Sequence, residues 1–546
     1  MAFRTKKNHL KWLLPLWMAA ALMLGAGLYA SAQQPETTAP QPAAGQPQPA
    51  NPAEPAPAGA QAADPGDAAA PIASPEAAAR AQTPQSGIVA DSQPANAGEV
   101  ARQARQATRG TPLQKAVSLL GLIVFTGLAF LLSVNKKRVD WKLVAWGLLL
   151  QFVFAVIIII FPIGRVFFEG ANNVFNALIG YTVEGARFIF GNLVFNNVPV
   201  GPGGTGFPPM EPVGGPSAWA NTGGFFAFNV LPTIIFFSSL MTLLYYMGVM
   251  QAVVKGFAWV MMRTMKISGA ESLSTAGNIF LGQTEAPLLV KPFIGTMTKS
   301  ELHCVMVGGF GTVAGGVLAA YVGFLVAYFP DIAGHLISAS VMSAPACIAI
   351  SKIMYPETEE PVTQGSVKIK MEKVDANAID AAARGASEGL SLALNVGAML
   401  IAFIALVALL NGILSGTAGW FGLDLTIQKL LGWLFTPFAW LMGVPAGDTL
   451  AIGTLLGEKM AINEFLAYAH LGTMLQEGAG LDPRSVVLAT YALCGFANFS
   501  SIAIQIGGIG GMAPERRADL SRLGLRAMIA GTLANFMTAC VVGILI

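Results

Sequence analysis

Two short segments of this sequence place an amide and a carboxylate close together among apolar residues. Gln283 stands two positions before Glu285, and Asn463 stands directly before Glu464. In a membrane, a carboxylate costs about 2.5–3.5 kcal/mol even on insertion scales, and such residues usually mark a ligand or ion pathway. Amides and carboxylates together bind polar solutes by hydrogen bonds. These two segments are therefore the candidate site.

A structural alternative stays open for both carboxylates. Each glutamate could lie at a helix end and reach water, or it could pair with a nearby lysine. The lysines in question are Lys291 and Lys459. Under this alternative, the two carboxylates stabilise the fold and bind no ligand.

A similar sequence motif, which begins with Gly-Phe, follows each amide–carboxylate pair. Gly309–Gly315 (GFGTVAG) begins 24 residues after Glu285, and Gly495–Ser501 (GFANFSS) begins 31 residues after Glu464. Small residues alone would be ordinary helix-packing positions. Because the same order of features occurs twice, the pattern indicates an internal inverted repeat. Transporters use such repeats to build a binding site from broken helices near the bilayer midplane.

The composition places these elements in a membrane. Of the 546 residues, 54% are apolar and 11% are charged, and the mean hydropathy is +0.59. A soluble domain has about 25% charged residues, so this chain cannot cover itself with a polar surface. The balance of 32 basic and 30 acidic residues creates no field that attracts polyanions. The composition excludes a soluble enzyme and a nucleic-acid-binding protein.

Eight apolar runs approach the 20-residue length that crosses a bilayer. They are Ala116–Val134, Leu143–Phe161, Phe225–Met247, His303–Tyr328, Ile332–Ile350, Leu390–Leu410, Ser485–Ile506 and Leu525–Ile546. The loop between the first two contains Lys136, Lys137, Arg138 and Lys142, so the positive-inside rule makes this loop cytoplasmic. An even number of spans then places both ends of the mature chain in the periplasm.

The remaining apolar and amphipathic segments predict other elements. Ser268–Met297 and Leu430–Leu471 are interrupted by Gly, Pro and acidic residues, so we expect each to enter the membrane and turn back. Residues 163–222 predict an interfacial helix and then a periplasmic loop. Met354–Ser387 predicts a second interfacial helix, from about Ala376. The expected fold is an all-α polytopic membrane protein.

The first 111 residues differ from the rest. Residues 1–32 combine basic residues, an apolar stretch and Ala30-Ser31-Ala32, which is typical of a cleaved signal peptide; an uncleaved anchor helix is the alternative. Residues 33–111 predict a disordered periplasmic linker. Residues 33–110 contain 13 of the 33 prolines and no aromatic residue, too few large apolar groups to form a core.

The polar residues near the two hairpins indicate the kind of ligand. They offer amides, hydroxyls and carboxylates, without the Arg or Lys cluster that a phosphate or carboxylate would require. The set is Gln283, Thr284, Glu285, Asn463, Glu464, Asn498 and Ser501, with Phe496 available for stacking. A neutral solute with many hydroxyls fits this set, which favours a nucleoside, a sugar or a nucleobase.

The four cysteines are separated by more than 40 residues and form no CxxC or Cys/His pattern, so we expect buried thiols and no metal centre.

One dipeptide, Gly447-Asp448, is similar to part of a membrane aspartyl protease motif, but the sequence has no second catalytic aspartate within a span. The sequence therefore predicts a transporter, not an enzyme. A channel would share the same composition and is the rival interpretation.

Over residues 112–546 the sequence resembles the concentrative nucleoside transporters. The motifs that carry the resemblance are Gly282–Leu288 (GQTEAPL), Asn463-Glu464-Phe465, Cys494–Ser501 (CGFANFSS), Met342–Pro345, Tyr355–Thr358 and Pro514–Arg517. The resemblance implies a homotrimer in the bacterial inner membrane, in which a transport domain moves like an elevator against a scaffold. It divides the chain into scaffold parts at 112–262 and 376–424 and transport parts at 263–375 and 425–546.

The resemblance also assigns roles to residues. It implies that the first hairpin binds the nucleobase through Gln283, Thr284 and Glu285, with Val317 nearby. It implies that the second hairpin and the following broken helix bind the ribose through Glu464, Asn498 and Ser501, beside Phe496. A sodium ion would be held by the side chains of Asn278 and Thr312 and by the carbonyls of Leu281 and Val313.

The resemblance leaves the coupling ion open and implies no other cofactor. Sodium is favoured because an amide oxygen, a hydroxyl and free carbonyls suit a hard cation. Some relatives couple to protons, in which case Glu285 or Glu464 would carry the proton. The sequence departs from the family pattern in its long N-terminus and in Gly311 and Gly316 of the ion-site helix.

Overall fold

The computed structural model describes residues 109–195, 197–200, 218–221, 225–365, 375–420 and 425–546. The predicted signal peptide and nearly all of the predicted linker lie outside these ranges. Within them, the chain forms the following helices: α1 (Pro112–Leu131), α2 (Trp141–Ile159), α3 (Pro162–Phe190), α4 (Phe226–Asn229), α5 (Leu231–Tyr246), α6 (Val249–Met265), α7 (Gly269–Asn278), α8 (Lys291–Ile294), α9 (Lys299–Gly311), α10 (Gly315–Leu325), α11 (Ile332–Met354), α12 (Ala378–Gly419), α13 (Ile427–Leu441), α14 (Thr449–Ala461), α15 (Glu464–Gln476), α16 (Pro483–Leu493), α17 (Phe499–Met512) and α18 (Arg517–Leu545).

Seven helical stretches in the described part of the chain are long and apolar enough to cross a membrane. They are Pro112–Leu131, Trp141–Ile159, Phe226–Tyr246, Lys299–Leu325, Ile332–Met354, Ala378–Thr417 and Pro514–Leu545. Each corresponds to one of the eight predicted spans. The eighth predicted span, Ser485–Ile506, is not among them, because it is divided between α16 and α17, as the resemblance implied for the helix after the second hairpin.

Two of the predicted spans are broken helices. α16 ends at Leu493 and α17 begins at Phe499. Between them, Gly495 has a φ of 109°, which side chains disfavour, and the Asn498 side chain caps α17 by accepting a hydrogen bond from Ser501 N at 2.8 Å. His303–Tyr328 is also interrupted, because α9 ends at Gly311 and α10 begins at Gly315. Apolar run length cannot detect such breaks.

The predicted second interfacial helix is not a separate element. The polar segment from about Ala376 and the predicted span Leu390–Leu410 form one helix, α12, which is 42 residues long. No proline or glycine pair interrupts the sequence between the two parts, so the helix continues. Its amphipathic first turns therefore lead directly into an apolar span.

Both predicted hairpins exist as turns between short elements. In the first, α7 is followed by an irregular tip at residues 279–285, and the return arm is a 3-10 helix, Ala286–Val290, with α8. In the second, α14 and α15 are joined at Ile462 and Asn463. The predicted range Leu430–Leu471 started too early, because α13 is a separate helix that packs along α14.

One short hairpin of strands modifies the all-α prediction. β1 (Asn197–Val200) pairs with β2 (Ala218–Asn221) in antiparallel register, in the region that was predicted to be a loop. The preceding helix, α3, is 29 residues long and matches the predicted amphipathic stretch. The described chain is thus mostly helical, with a single β-hairpin beside α3.

The helices are arranged as an inner and an outer group. In Ile332–Met354 and Lys299–Leu325, 94% and 89% of the apolar window is buried, whereas only 22% is buried in Pro112–Leu131 and Ala378–Thr417. The exposed faces of the outer helices are rich in large apolar side chains such as Ile401, as expected for contact with lipid or with other copies of the chain. All four cysteines are buried, which confirms the prediction of buried thiols.

Candidate functional site

The tip of the first hairpin meets the helix that follows the second hairpin. Gln283 Nε2 donates a hydrogen bond to Ser501 Oγ at 3.1 Å. Gln505 Nε2 donates to Gln283 Oε1 at 3.1 Å and to the carbonyl of Met306 at 3.1 Å. The Gln283 amide is therefore held between two residues of α17, and Gln505 also links α17 to α9.

Close packing at two glycines brings these elements together. A methyl group on Gly508 of α17 would lie 2.6 Å from Thr284 Cγ2, and one on Gly309 of α9 would lie 2.9 Å from Gln283 Cβ. Real Cβ atoms do not approach so closely, so larger residues at these positions would push the hairpin tip away. Glycine at both positions lets the tip of the first hairpin contact two helices at once.

Glu464 joins the second hairpin to both broken helices. Its side chain is buried, and its Oε1 accepts a hydrogen bond from Tyr321 of α10 at 3.0 Å. Its Oε2 accepts one from Asn498 Nδ2 at 2.7 Å. The nearby lysine, Lys459, instead donates to backbone carbonyls and to Asn535. Direct pairing of Glu464 with Lys459, the structural alternative, is therefore not what the structure contains.

The other predicted substrate residues lie at the two hairpin turns or next to the two helix breaks, and they differ in burial and in hydrogen-bond partners. Glu285 is exposed at the hairpin tip and accepts a hydrogen bond from Thr284 Oγ1 at 3.1 Å. Val317 and Phe496 are buried next to the two helix breaks. The Asn463 side chain caps α15 by accepting a hydrogen bond from Leu466 N at 2.9 Å.

Three helices begin at this place. α10, α15 and α17 start at Gly315, Glu464 and Phe499, directly after the two breaks and the second hairpin turn. A helix N-terminus has a partial positive charge and free N–H donors. Together with the amides and the carboxylate, these N-termini can bind the hydroxyl and carbonyl oxygens of a neutral solute.

The predicted ion site lies where the first hairpin meets the break between α9 and α10. Asn278 is the last residue of α7 and is fully buried, and neither of its side-chain polar atoms has a partner among the described residues. A methyl group on Gly308 of α9 would lie 3.3 Å from Asn278 Nδ2. A buried amide without partners costs about 1–3 kcal/mol, so a ligand at this place would be stabilising.

The remaining predicted ion ligands border the same break. Thr312 Oγ1 donates to the carbonyl of Gly308 at 2.8 Å, which leaves the lone pairs of the hydroxyl available. Gly315 N donates to the carbonyl of Phe280 at 2.9 Å, so the segment with Leu281 lies against the segment with Val313. Oxygens of this kind suit sodium. In the described ranges, no cluster of His, Cys, Asp or Glu could hold a metal ion.

Several residues of the site were not predicted from the sequence. Tyr321, Gln505 and Asn535 are buried polar side chains, and Asn535 Nδ2 donates to the carbonyl of Gly311 at 2.7 Å. Each is an isolated polar residue in an apolar helix, and such a residue needs a partner in a membrane. That signal was present in the sequence, but it did not identify the partner.

Comparison with family models gave three matches along the chain. Residues 120–193 match "Na+ dependent nucleoside transporter N-terminus", and residues 335–543 match "Na+ dependent nucleoside transporter C-terminus". Between them, residues 227–328 match "Gate: Nucleoside recognition". These segments together cover more than half of the chain and include both hairpins and both broken helices.

Individual relatives and solved structures are similar to this chain over about four fifths of its length. An uncharacterised transporter of Haemophilus influenzae is 45% identical over 433 residues, which are 79% of this chain and 97% of that protein. Mouse sodium/nucleoside cotransporter 1 is 40% identical over 446 residues, but the match covers only 64% of its length. The solved structure of CNTnw in an inward-facing substrate-bound state is 43% identical, with a TM-score of 0.69 over 79% of this chain and 97% of that one.

Proposed function

Because this chain belongs to the family of concentrative, sodium-dependent nucleoside transporters, we propose that it is a secondary active symporter that imports nucleosides along a sodium gradient. One observation carries the proposal: the buried polar groups of the two halves converge at the two helix breaks. A neutral solute that replaces these mutual hydrogen bonds would contact both halves at once.

We assign the nucleobase to the first hairpin. Gln283 and Thr284 offer an amide and a hydroxyl, and Glu285 offers a carboxylate that is exposed at the tip. A nucleobase has donors and acceptors along one edge and two apolar faces. The amide and carboxylate match that edge, and the buried side chain of Val317 provides an apolar contact nearby.

We assign the ribose to the second hairpin and α17. The Glu464 carboxylate can accept hydrogen bonds from two hydroxyl groups, and Asn498 and Ser501 can donate or accept. In the structure Asn498 links the other two residues: its Nδ2 donates to Glu464 Oε2, and its Oδ1 accepts from the backbone N–H of Ser501. Phe496 at the adjacent break offers an apolar surface to the sugar ring.

We place the sodium ion between α7 and the break after α9. The ligands would be the side chains of Asn278 and Thr312 and the carbonyls of Leu281 and Val313. The unpartnered Asn278 amide supports this position. Asn278 and Gln283 are ends of the same short segment, so an ion that orders this segment also positions the nucleobase-binding amide. By linkage, the nucleoside then strengthens sodium binding to the same degree.

We further propose the domain arrangement and location that the resemblance implies. Residues 112–262 and 376–424 would form the scaffold of a homotrimer, and residues 263–375 and 425–546 would form a transport domain that moves like an elevator. The buried inner helices and the exposed apolar outer helices are compatible with that division. The protein would lie in the bacterial inner membrane with both ends of the mature chain in the periplasm.

Uptake by proteoliposomes tests the proposal. The full chain is reconstituted, and radiolabelled uridine and adenosine uptake is measured with an inward sodium gradient and then with a proton gradient alone. Sodium-driven accumulation supports the assignment at Asn278 and Thr312. Accumulation with protons alone would move the coupling to Glu285 or Glu464. No nucleoside accumulation under either gradient would contradict nucleoside transport.

A channel or a carrier of another neutral polar solute is the alternative. A channel shows flux that does not saturate, and it does not exchange external labelled solute for internal unlabelled solute. The same proteoliposomes, loaded with unlabelled uridine, distinguish these cases by counterflow. Competition by excess ribose or uracil would show whether the site requires the whole nucleoside.

A further inference from the structure

Lys459, near the end of α14, has an unusual set of partners for a buried lysine. Its side chain is about 1% exposed. Its Nζ donates to the carbonyl of Ala492 at 2.9 Å, to the carbonyl of Cys494 at 3.4 Å and to Asn535 Oδ1 at 2.9 Å. Ala492 lies in the last turn of α16, and Cys494 directly follows that helix at the start of the break. The ammonium group is thus surrounded by neutral oxygen atoms, as an ion in a binding site is.

The geometry indicates that Lys459 is positively charged. An ammonium group has three N–H donors and no acceptor, and three oxygen atoms receive them here. The orientation of the Asn535 amide is determined by its other end, because Asn535 Nδ2 donates to the carbonyl of Gly311 at 2.7 Å. An uncharged amine would direct its lone pair at one of these oxygen atoms, which is repulsive.

The two halves of the chain differ in the polar side chain that lies against the helix before the break. In each half, the first arm of the hairpin places a polar side chain against the end of the half helix before the break. In the first half, the unpartnered amide of Asn278 lies at Gly308. In the second half, the ammonium of Lys459 lies at Cys494. Gly308 and Cys494 correspond, since each directly precedes the Gly-Phe pair of its half.

We propose that Lys459 is a resident cation, which supplies in the second half the positive charge that a bound sodium ion supplies in the first. This inference rests on the proposed nucleoside and sodium sites. Lys459 is a positioning residue: it holds the carbonyl end of α16, so that Asn498 and Ser501 face the ribose, and it offsets the negative charge of Glu464. Sodium then controls the nucleobase side of the site, and the ribose side is always formed.

Asn535 extends this effect to both breaks. Its Oδ1 accepts from Lys459, and its Nδ2 donates to Gly311 at the end of α9. A methyl group on Gly495 would lie 2.7 Å from Asn535 Oδ1 and 2.8 Å from the carbonyl oxygen of Phe310, so the two breaks pack directly against each other. A change at Lys459 would therefore release the break of the second half and its contact with the first.

The test replaces the tethered cation by a free one. Lys459→Ala and Lys459→Met are purified as full chains, and Lys255→Ala, which removes an exposed lysine of α6, is the control. Uridine binding is measured by calorimetry in saturating sodium, and thermal unfolding is measured in parallel. We expect Lys459→Ala to bind uridine about 30-fold or more weakly, as for other buried charges that lose a partner.

Methylammonium present throughout purification should restore binding to Lys459→Ala, whereas neutral acetamide should not. If Lys459→Ala folds only with methylammonium, that result also supports the resident cation. Three results would overturn it: Lys459→Met binding uridine within about threefold of the unchanged chain, equal rescue by acetamide, or a folded Lys459→Ala that methylammonium does not rescue. If the unchanged chain itself binds no uridine, the proposed function fails instead.

Discussion

Gln283 and Ser501 are 218 residues apart in the sequence, yet their side chains form a hydrogen bond of 3.1 Å. One belongs to the first hairpin and the other to the helix that follows the second. The bond therefore joins the two hairpin-containing parts of the chain. A nucleoside at this place would insert between the two side chains, so both should contribute to its binding and their contributions should be coupled.

A double-mutant cycle tests that coupling. Gln283→Ala and Ser501→Ala should each weaken uridine affinity about fivefold or more, the effect of one lost hydrogen bond. In the double variant, uridine affinity should fall by less than the product of the two single fold-changes, because each single variant already leaves the other side chain without its partner. Calorimetry on the three variants measures this. Strictly independent effects would contradict a shared contact with the nucleoside.

Replacement of Glu464 by glutamine should abolish uptake. The neutral amide keeps only one acceptor oxygen, so it can accept from Asn498 Nδ2 or from the Tyr321 hydroxyl but not from both, as the two carboxylate oxygens do in the structure. Removing a buried charged acceptor costs about 30-fold or more in affinity. Uridine uptake and the thermal stability of the purified chain are measured together. Uptake at the normal rate would remove Glu464 from the site.

Tyr321→Phe is the matched change on the other oxygen of the same carboxylate. It removes the hydroxyl that donates to Glu464 Oε1 at 3.0 Å and keeps the ring. The carboxylate would remain charged and bonded to Asn498, so we expect a smaller loss of uridine affinity, about three- to tenfold. Titration of uridine against both variants compares them. A larger loss in Tyr321→Phe than in Glu464→Gln would require Tyr321 to contact the nucleoside directly.

Thr312→Ala should raise the sodium concentration that gives half-maximal uptake by about tenfold, a typical cost of losing one polar group at a metal site. The hydroxyl donates to Gly308, and its lone pairs are available to an ion. Thr312→Ser keeps the hydroxyl, so its half-maximal sodium concentration should stay close to that of the unchanged chain. Sodium titration of uridine uptake measures the shift. If the alanine variant keeps the original sodium dependence, the ion lies elsewhere or the coupling ion is the proton.

Acid sensitivity at the start of α12 follows from one ion pair. Arg384 donates to both carboxylate oxygens of Asp375, at 2.6 and 3.0 Å, and its guanidinium holds the pKa of Asp375 below the usual range. The stabilisation is present while Asp375 is ionised and is lost as the pH falls through that lowered pKa. Asp375→Asn should therefore unfold at a lower temperature than the unchanged chain at neutral pH, and at the same temperature as the unchanged chain at acid pH. Thermal unfolding of both chains at several pH values measures this. A constant difference at all pH values would contradict it.

Deletion of residues 33–105 should leave transport unchanged when the predicted signal sequence is kept. The segment has too few large apolar residues for a folded unit, so we expect no part of the site to depend on it. Uridine uptake per molecule in proteoliposomes, corrected for the amount inserted, is the measurement. A folded but inactive deletion variant would show that the segment takes part in transport.

Residue types and their order along the chain were enough to predict the membrane location, most of the spans and the candidate site. Run length and hydropathy are local properties, so both ends of α1, α2 and α11 could be predicted within four residues. For α5 and α18 the predicted ends agree within one residue, but the predicted starts differ by six and eight residues. The two amide–carboxylate pairs also stood out locally, because charge in an apolar segment is costly wherever it occurs. The motifs in order were enough to predict the family.

Which side chains meet depends on how the helices pack, and this could not be predicted from the sequence. The break before α17 depends on the contact of Gly495 with Asn535, 40 positions later, and an apolar window does not record such contacts. Tyr321, Gln505 and Lys459 gained their roles from partners on other helices. Hydrogen bonds between distant helices depend on packing, which is a property of the whole fold. The polar residues were therefore visible in the sequence, and their partners were not.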